Sequence, residues 1–206
     1  MTTPLTARGR ATRQRLIEGA AAEFRRRGVA ATTLDDVLAA TRTSKGQLFH
    51  YFPGGREELL LTVARHEADR VLIDQEPWLD RLASPADWWR WRDAVVRRYV
   101  RQGNECPLNT LMTQVGRDTP GAQAVTRELF RQWQDRLTTG IERLQANGHV
   151  DPSVDARRVA GAVVAAIQGG VLVMLTTGEV DFLEAALDVS LAHLGITREE
   201  SAAATS

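Results

Sequence analysis

Two helix-start signals stand eleven residues apart, at Thr33 and Ser44, and confine this part of the chain to two short helices joined by a tight turn. Thr33 precedes an apolar pattern (Leu34, Val37, Leu38) with Asp36 three residues on, an acidic form of the capping box. Ser44 caps a second helix whose inward face is Leu48 and Phe52, spaced i, i+4, before Pro53-Gly54-Gly55 ends it. Lys45, Gln47, Phe49 and His50 then point outward. A short helix presenting a cation, an amide and two rings suits the major groove of DNA. The cation meets phosphate, the amide reads a base edge and a ring touches a thymine methyl. The pattern predicts a helix-turn-helix.

The charge distribution agrees. The chain is neutral overall, yet residues 1–56 carry ten Arg/Lys against four Asp/Glu, and residues 57–206 carry sixteen against twenty-two. The excess of six positive charges lies on the N-terminal quarter, where phosphate would be met. Lys45 is the only lysine beside twenty-five arginines. A compact ammonium there suits a close phosphate contact.

Composition bounds the rest. At 43% hydrophobic and 25% charged residues the chain is a soluble globular one with room for one large domain, or for a small one beside a larger one. Its single cysteine, Cys106, allows no intrachain disulfide and no cysteine-based zinc site, which points to the cytosol. Residues 1–10 lack the apolar core of a signal peptide. Val159–Leu175 approaches membrane-spanning length, but Gln168 at its centre and its Ala/Gly content fit a buried bundle helix better, so no membrane partner is expected.

Periodicity is helical throughout, which predicts an all-α fold. Leu16, Ile17, Ala20, Ala21 and Phe24 line a first helix that Gly28 stops, after Arg25-Arg26-Arg27 at its negative end. Further helices are expected over 56–74, 87–101, from Cys106, and over 122–146, 157–175 and 182–194. Pro77 and Pro85 mark a linker, and the tail after Gly195 is polar. His66-Glu67 reads as part of a solvated, charged helix face.

Residues 11–60 resemble the DNA-binding domain of TetR-type transcriptional regulators. The resemblance rests on Arg15-Leu-Ile-Glu-Gly-Ala-Ala20, Phe24, Gly28, Thr32-Thr-Leu-Asp-Asp-Val37, Ser44-Lys-Gly-Gln-Leu-Phe-His-Tyr-Phe-Pro53 and Glu57-Glu-Leu-Leu60. It implies a three-helix helix-turn-helix domain over 1–55 with a basic N-terminal arm, a helical ligand-binding and dimerisation domain over 56–195, and a flexible tail over 196–206. It places DNA contacts on Thr33, Arg42, Ser44, Lys45, Gln47, Phe49, His50, Tyr51 and Arg56. Phe49 stands where Tyr is usual, and Arg42 where the turn glycine is usual. The Pro53-Gly54-Gly55-Arg56 spacing, one residue longer than the common form, resembles a subgroup that includes multidrug-resistance regulators, as does Cys106-Pro-Leu108.

The last two helices read as a dimerisation module. Small residues recur four apart at Gly161, Ala165 and Gly169, which permits close helix approach, and Leu183, Leu187 and Leu191 give the partner helix an apolar face. The resemblance implies an effector site among the middle helices. Trp88, Phe130, Trp133, Met112 and Met174 are its candidate apolar walls, and Cys106, Asn109 and Gln168 its polar anchors. The expected effector is an apolar or aromatic small molecule. No nucleophile elbow, phosphate loop or paired-histidine metal motif occurs, so no cofactor and no metal are expected. The reading is a homodimeric repressor of a palindromic operator, released by a small molecule. Its alternatives are a DNA-binding protein of the same type without ligand response and, weakest, an all-helical enzyme.

Overall fold

In the computed structural model, which describes residues 5–103 and 120–198, the chain is all-α, and no strand occurs among the described residues. The helices are α1 (Ala7–Arg27), α2 (Leu34–Thr41), α3 (Lys45–Tyr51), α4 (Gly55–Ile73), α5 (Pro85–Gln102), α6 (Pro120–Ala146), α7 (Ala156–Thr177) and α8 (Asp181–His193), with a 3-10 turn at Leu79–Arg81. Cys106, Asn109 and Met112 lie outside the described residues. The chain separates into two compact units. One comprises the described residues of Met1–Val71 and Glu105–Arg127, the other those of Leu72–Asn104 and Glu128–Ser206.

In the first unit, Thr6 caps α1 by accepting from the Gly9 amide at 3.1 Å, so the expected arm is already helical from Ala7. α1 ends at Gly28, whose φ of 87° lies in the region glycine tolerates. The expected face of α1 is buried, and Val37, Leu48, Phe52, Leu59 and Val63 complete the unit's apolar interior. Each such side chain contributes about 1.5–3 kcal/mol on leaving water. Glu67 corrects the sequence reading. It is only 1% exposed and accepts from Arg25 Nη1 at 2.6 Å, tying α4 to the end of α1. A buried carboxylate persists only when paired.

In the second unit, Ser84 and Asp87 form a capping box that starts α5 two residues before the expected Asp87. α5 buries Trp88, Trp89, Trp91, Val95, Val96 and Tyr99. Gly140 on α6 is what admits Trp88, since a Cβ there would lie 2.8 Å from Leu82 Cβ and 3.1 Å from the Trp88 ring. Arg92, 5% exposed, joins α5 to α8. It donates to both carboxylate oxygens of Asp188 (2.6 and 3.1 Å) and to Glu184 (3.0 Å). Burial alone would lower its pKa, but these carboxylates outweigh burial and hold it above the ordinary arginine value.

α7 and α8 are packed closely enough that a Cβ on Gly170 would fall 2.6 Å from Leu183 Cα. Leu183, Leu187 and Leu191 fill this seam and have no exposed surface, which overturns their expected place at an interface between chains. The large apolar residues that α8 leaves in solvent are Phe182 (51% exposed) and Val189 (69%), and on α7 it is Leu172 (59%). α7 is long and apolar enough to cross a membrane by length and composition. The α8 leucines, packed against its inner face, account for that apolarity as a core helix's.

Candidate nucleic-acid interface

The local hydrogen bonds fix how α2 and α3 are presented. Thr33 Oγ1 accepts from the Asp36 amide at 3.2 Å, and Asp36 Oδ2 accepts from the Thr33 amide at 2.9 Å and hydroxyl at 2.6 Å. The Thr33 hydroxyl and amide, with Arg27 close by, hold the Asp36 carboxyl below its ordinary pKa. The turn follows at Thr41–Thr43. Arg42 sits at φ 51°, ψ 47°, the left-handed conformation that the family's usual glycine adopts without strain. Arg42→Gly relieves about 1–2 kcal/mol of left-handed strain against about 0.4–1 kcal/mol of added unfolded-chain entropy, so a net rise in denaturation midpoint is expected, worth up to about 1 kcal/mol. A fall in midpoint would contradict the strain.

The close packing of α1 on α2 has a single narrow point. A Cβ on Gly19 would lie 2.2 Å from Thr41 Cγ2. Thr41 is buried and held by its hydroxyl, which donates to the Val37 carbonyl at 2.7 Å, while Arg15 Nε donates to the Thr41 carbonyl at 3.1 Å.

α3 carries a full capping box. Ser44 Oγ accepts from the Gln47 amide (3.2 Å) and Gln47 Oε1 accepts from the Ser44 amide (3.0 Å). The Ser-x-x-Gln spacing that signals this stands in the sequence, so Gln47 is a capping residue as well as an outward group. Leu48 and Phe52 are buried as expected, and the Arg13 guanidinium lies 5.2 Å from the Phe52 ring centroid. Lys45, Gln47, Phe49 and His50 are exposed, and Tyr51 is half-buried, its ring edge-on to His50 at 4.8 Å. Gly9 brings the start of α1 against α3, for a Cβ there would lie 3.4 Å from the Tyr51 hydroxyl. Phe49 is only partly free, because its Cε1 lies 3.2 Å from where a Gly55 Cβ would stand. Gly55, at φ 63°, gives the ring its place.

Several of the N-terminal cations are spent inside the protein. Arg25 pairs with Glu67, Arg26 with Glu23, and Arg27 with Asp36. Arg56, expected at phosphate, donates through Nη2 to the carbonyls of Val29 (2.5 Å) and Thr32 (3.2 Å), so that edge of its guanidinium clamps α4 to the loop before α2. The side chains of Arg8, Arg42 and Lys45 form no ion pair among the described residues. With Arg10 and Arg13 they make the basic residues left to face an anion.

The pocket candidates scatter by comparison. Trp88 and Trp133 are fully buried, Met174 nearly so, and Phe130 half-buried. The indole N–H groups of Trp88 and Trp133 and the Gln168 amide nitrogen are buried without a partner among the described residues. Among the described residues no group of three or more His, Cys, Asp or Glu is placed to hold a metal.

Two known sequence families match the chain: "Bacterial regulatory proteins, tetR family" over residues 16–63 and "Transcriptional regulator LmrA/YxaF-like, C-terminal domain" over residues 89–189. An uncharacterized HTH-type transcriptional regulator of Mycobacterium tuberculosis is 29% identical over 168 residues, 78% of this chain and 82% of the relative. The crystal structure of a TetR transcriptional regulator from Chloroflexus aurantiacus superposes with a TM-score of 0.78 at 25% identity, over 92% of this chain and 97% of that one. A complex of SmeT with triclosan, SmeT being the repressor of a Stenotrophomonas maltophilia multidrug efflux pump, gives a TM-score of 0.69 at 22% identity, covering 89% of this chain and 91% of that one. The two family matches span the α2–turn–α3 pair and most of the helical second unit: the chain is a transcriptional regulator of the TetR family, and not an enzyme.

Proposed function

We propose that this regulator is a cytoplasmic repressor that binds a palindromic operator as a homodimer and is released by a small apolar or aromatic molecule. Residues 1–55 form the reading domain and 56–195 the effector and dimerisation domain, followed by a tail over 196–206. The observation that carries the DNA reading is the outward face of α3, where Lys45, Gln47, Phe49 and His50 stand exposed around a buried Leu48. Lys45, Arg42, Tyr51 and the basic residues at the start of α1 contact phosphate. Ser44 and Thr33 set the helix ends, their hydroxyls already engaged in the caps.

Gln47 serves twice. Its Oε1 holds the cap, and its amide N–H is left to donate to a base. Gln47→Glu keeps the acceptor and removes the donor. It should therefore lower the ratio of operator to scrambled-duplex affinity by about 1–3 kcal/mol, whereas Lys45→Ala should weaken both duplexes alike. Fluorescence anisotropy on the two duplexes reads both. An unchanged ratio for Gln47→Glu would count against base reading.

Dimerisation uses the outer faces of α7 and α8. Ala165, Gly169 and Leu172 on α7, with Phe182 and Val189 on α8, are exposed, and a Cβ on Gly169 would meet nothing within 4 Å. Gly161 stands at the edge of this face, against Gln134 of its own chain. Burying large apolar groups of this kind against a second copy is the ordinary use of such a surface. Effector binding is supported by the orphaned donors of Trp88, Trp133 and Gln168, each of which costs about 1–3 kcal/mol unless an acceptor reaches it. SmeT, of the same fold, is known in complex with triclosan.

A further inference from the structure

We propose that the cavity at the joined C-terminal ends of α5 and α7 is a site for an apolar monocation, an amine or quaternary ammonium carried on an aromatic or branched hydrocarbon body. It rests on the reading that a small molecule is the effector, not on the N–H donors of Trp88, Trp133 and Gln168, none of which lines this cavity, and it gives that effector a chemical class. The cavity measures about 340 Å³, within the size range of small-molecule sites, and is lined by Val100, Gly103, Met174, Leu175, Gly178 and Val180. No charged side chain is among these residues. Their walls are aliphatic apart from the polarisable thioether of Met174.

The electrostatics come from the backbone. Gly103 and Gly178 are the C-caps of α5 and α7, and their amides close the last turns on Tyr99 O and Met174 O. Both have positive φ, 49° and 82°, and a Cβ on either would meet nothing within 4 Å. Two helices therefore end at one apolar cavity, each with a partial negative charge of roughly half an electron on its last carbonyls. The last turn of α7 holds no basic residue to offset it. In α5, Arg101 stands in the last turn but is exposed and is not among the lining residues. The start of α8 beside Val180 would oppose a cation, but Asp181 in its first turn offsets that positive end. A cation gains on entering, and an anion is repelled.

The test uses the full chain and three probes of one shape: benzyltrimethylammonium, its uncharged isostere neopentylbenzene, and phenylmethanesulfonate. Binding is followed by tryptophan fluorescence and calorimetry. The cation is expected to bind about tenfold tighter than the isostere, with the anion weakest. Thr176→Lys, an exposed change in the last turn of α7, should weaken the cation severalfold and leave the isostere unchanged. Val100→Trp, at the half-exposed mouth, should weaken both probes. Equal binding of cation and isostere, or cation binding indifferent to both substitutions, overturns the proposal. Operator release is read separately. If the cation binds as expected but operator affinity does not change, the site stands and the effector reading fails. If other apolar molecules release the operator while the cation does not bind, the effector reading stands and this class of ligand is wrong.

Discussion

Val189→Arg should leave the fold of the single chain intact and abolish tight operator binding. Val189 is 69% exposed and points away from the leucine seam of α8, so the arginine disturbs no packing within the chain. At a two-fold interface the substitution appears twice and buries two unpaired like charges. Breaking or leaving a buried charge uncompensated costs about 3–5 kcal/mol, enough to convert a micromolar dimer to monomer. Sedimentation should show the mass halved with helical content unchanged, and operator affinity should fall at least about a hundredfold, because each half-site is then held alone. Gly169→Leu should act in the same direction, since the space around Gly169 is open within the chain. A wild type that sediments as a monomer at micromolar concentration would remove the basis of both expectations.

The second large effect is expected at Gly19. An alanine there places its methyl carbon 2.2 Å from Thr41 Cγ2, far inside contact distance. Thr41 cannot swing aside cheaply, because it is buried and its hydroxyl is bonded to the Val37 carbonyl. α1 and α2 must separate, at a cost of about 1–3 kcal/mol by the measure of overpacked cores. α3 loses its bearing on α1 with them. Gly19→Ala should thus lower both melting temperature and operator affinity. Thr41→Ser, which keeps the hydroxyl and removes the offending methyl, should restore most of both in the double variant. Failure of that rescue would show that the narrow point lies elsewhere.

The reading domain was legible because its signals are local. A capping residue, its partner three positions on and an i, i+4 apolar pair specify α2 and α3 without knowledge of anything distant. The Ser44–Gln47 box is equally local, although an outward amide on a short helix also suggests a base contact. What the sequence obscured depends on partners far along the chain. Glu67 sits among charged neighbours and reads as solvated, yet its partner Arg25 lies forty-two residues earlier and takes it into the interior. Arg56 likewise reads as a free cation until the Val29 and Thr32 carbonyls are brought to it.

α8 shows why periodicity could not choose an interface. It carries two apolar rows, Leu183-Leu187-Leu191 and Phe182-Ala185-Val189, and both have helical spacing. Only the contact of Leu183 with Gly170 decides that the leucine row faces inward and the other row outward. For the effector site, the buried tryptophans were identifiable as large apolar groups. That Trp88 fills the space beside Gly140, and so packs, follows from the fold alone.

In the proposed function two copies of α3 read a two-fold operator. Selection of bound duplexes from a random library, followed by anisotropy across a salt series and native mass measurement of the complex, tests it most directly. The expected result is an enriched palindrome with half-sites about one helical turn apart, two or a multiple of two chains per duplex, and affinity falling steeply with salt. Gln47→Glu should also shift the enriched half-site at one base position. No enriched sequence, or a single chain on an asymmetric site whose sequence is indifferent to Gln47, would contradict it.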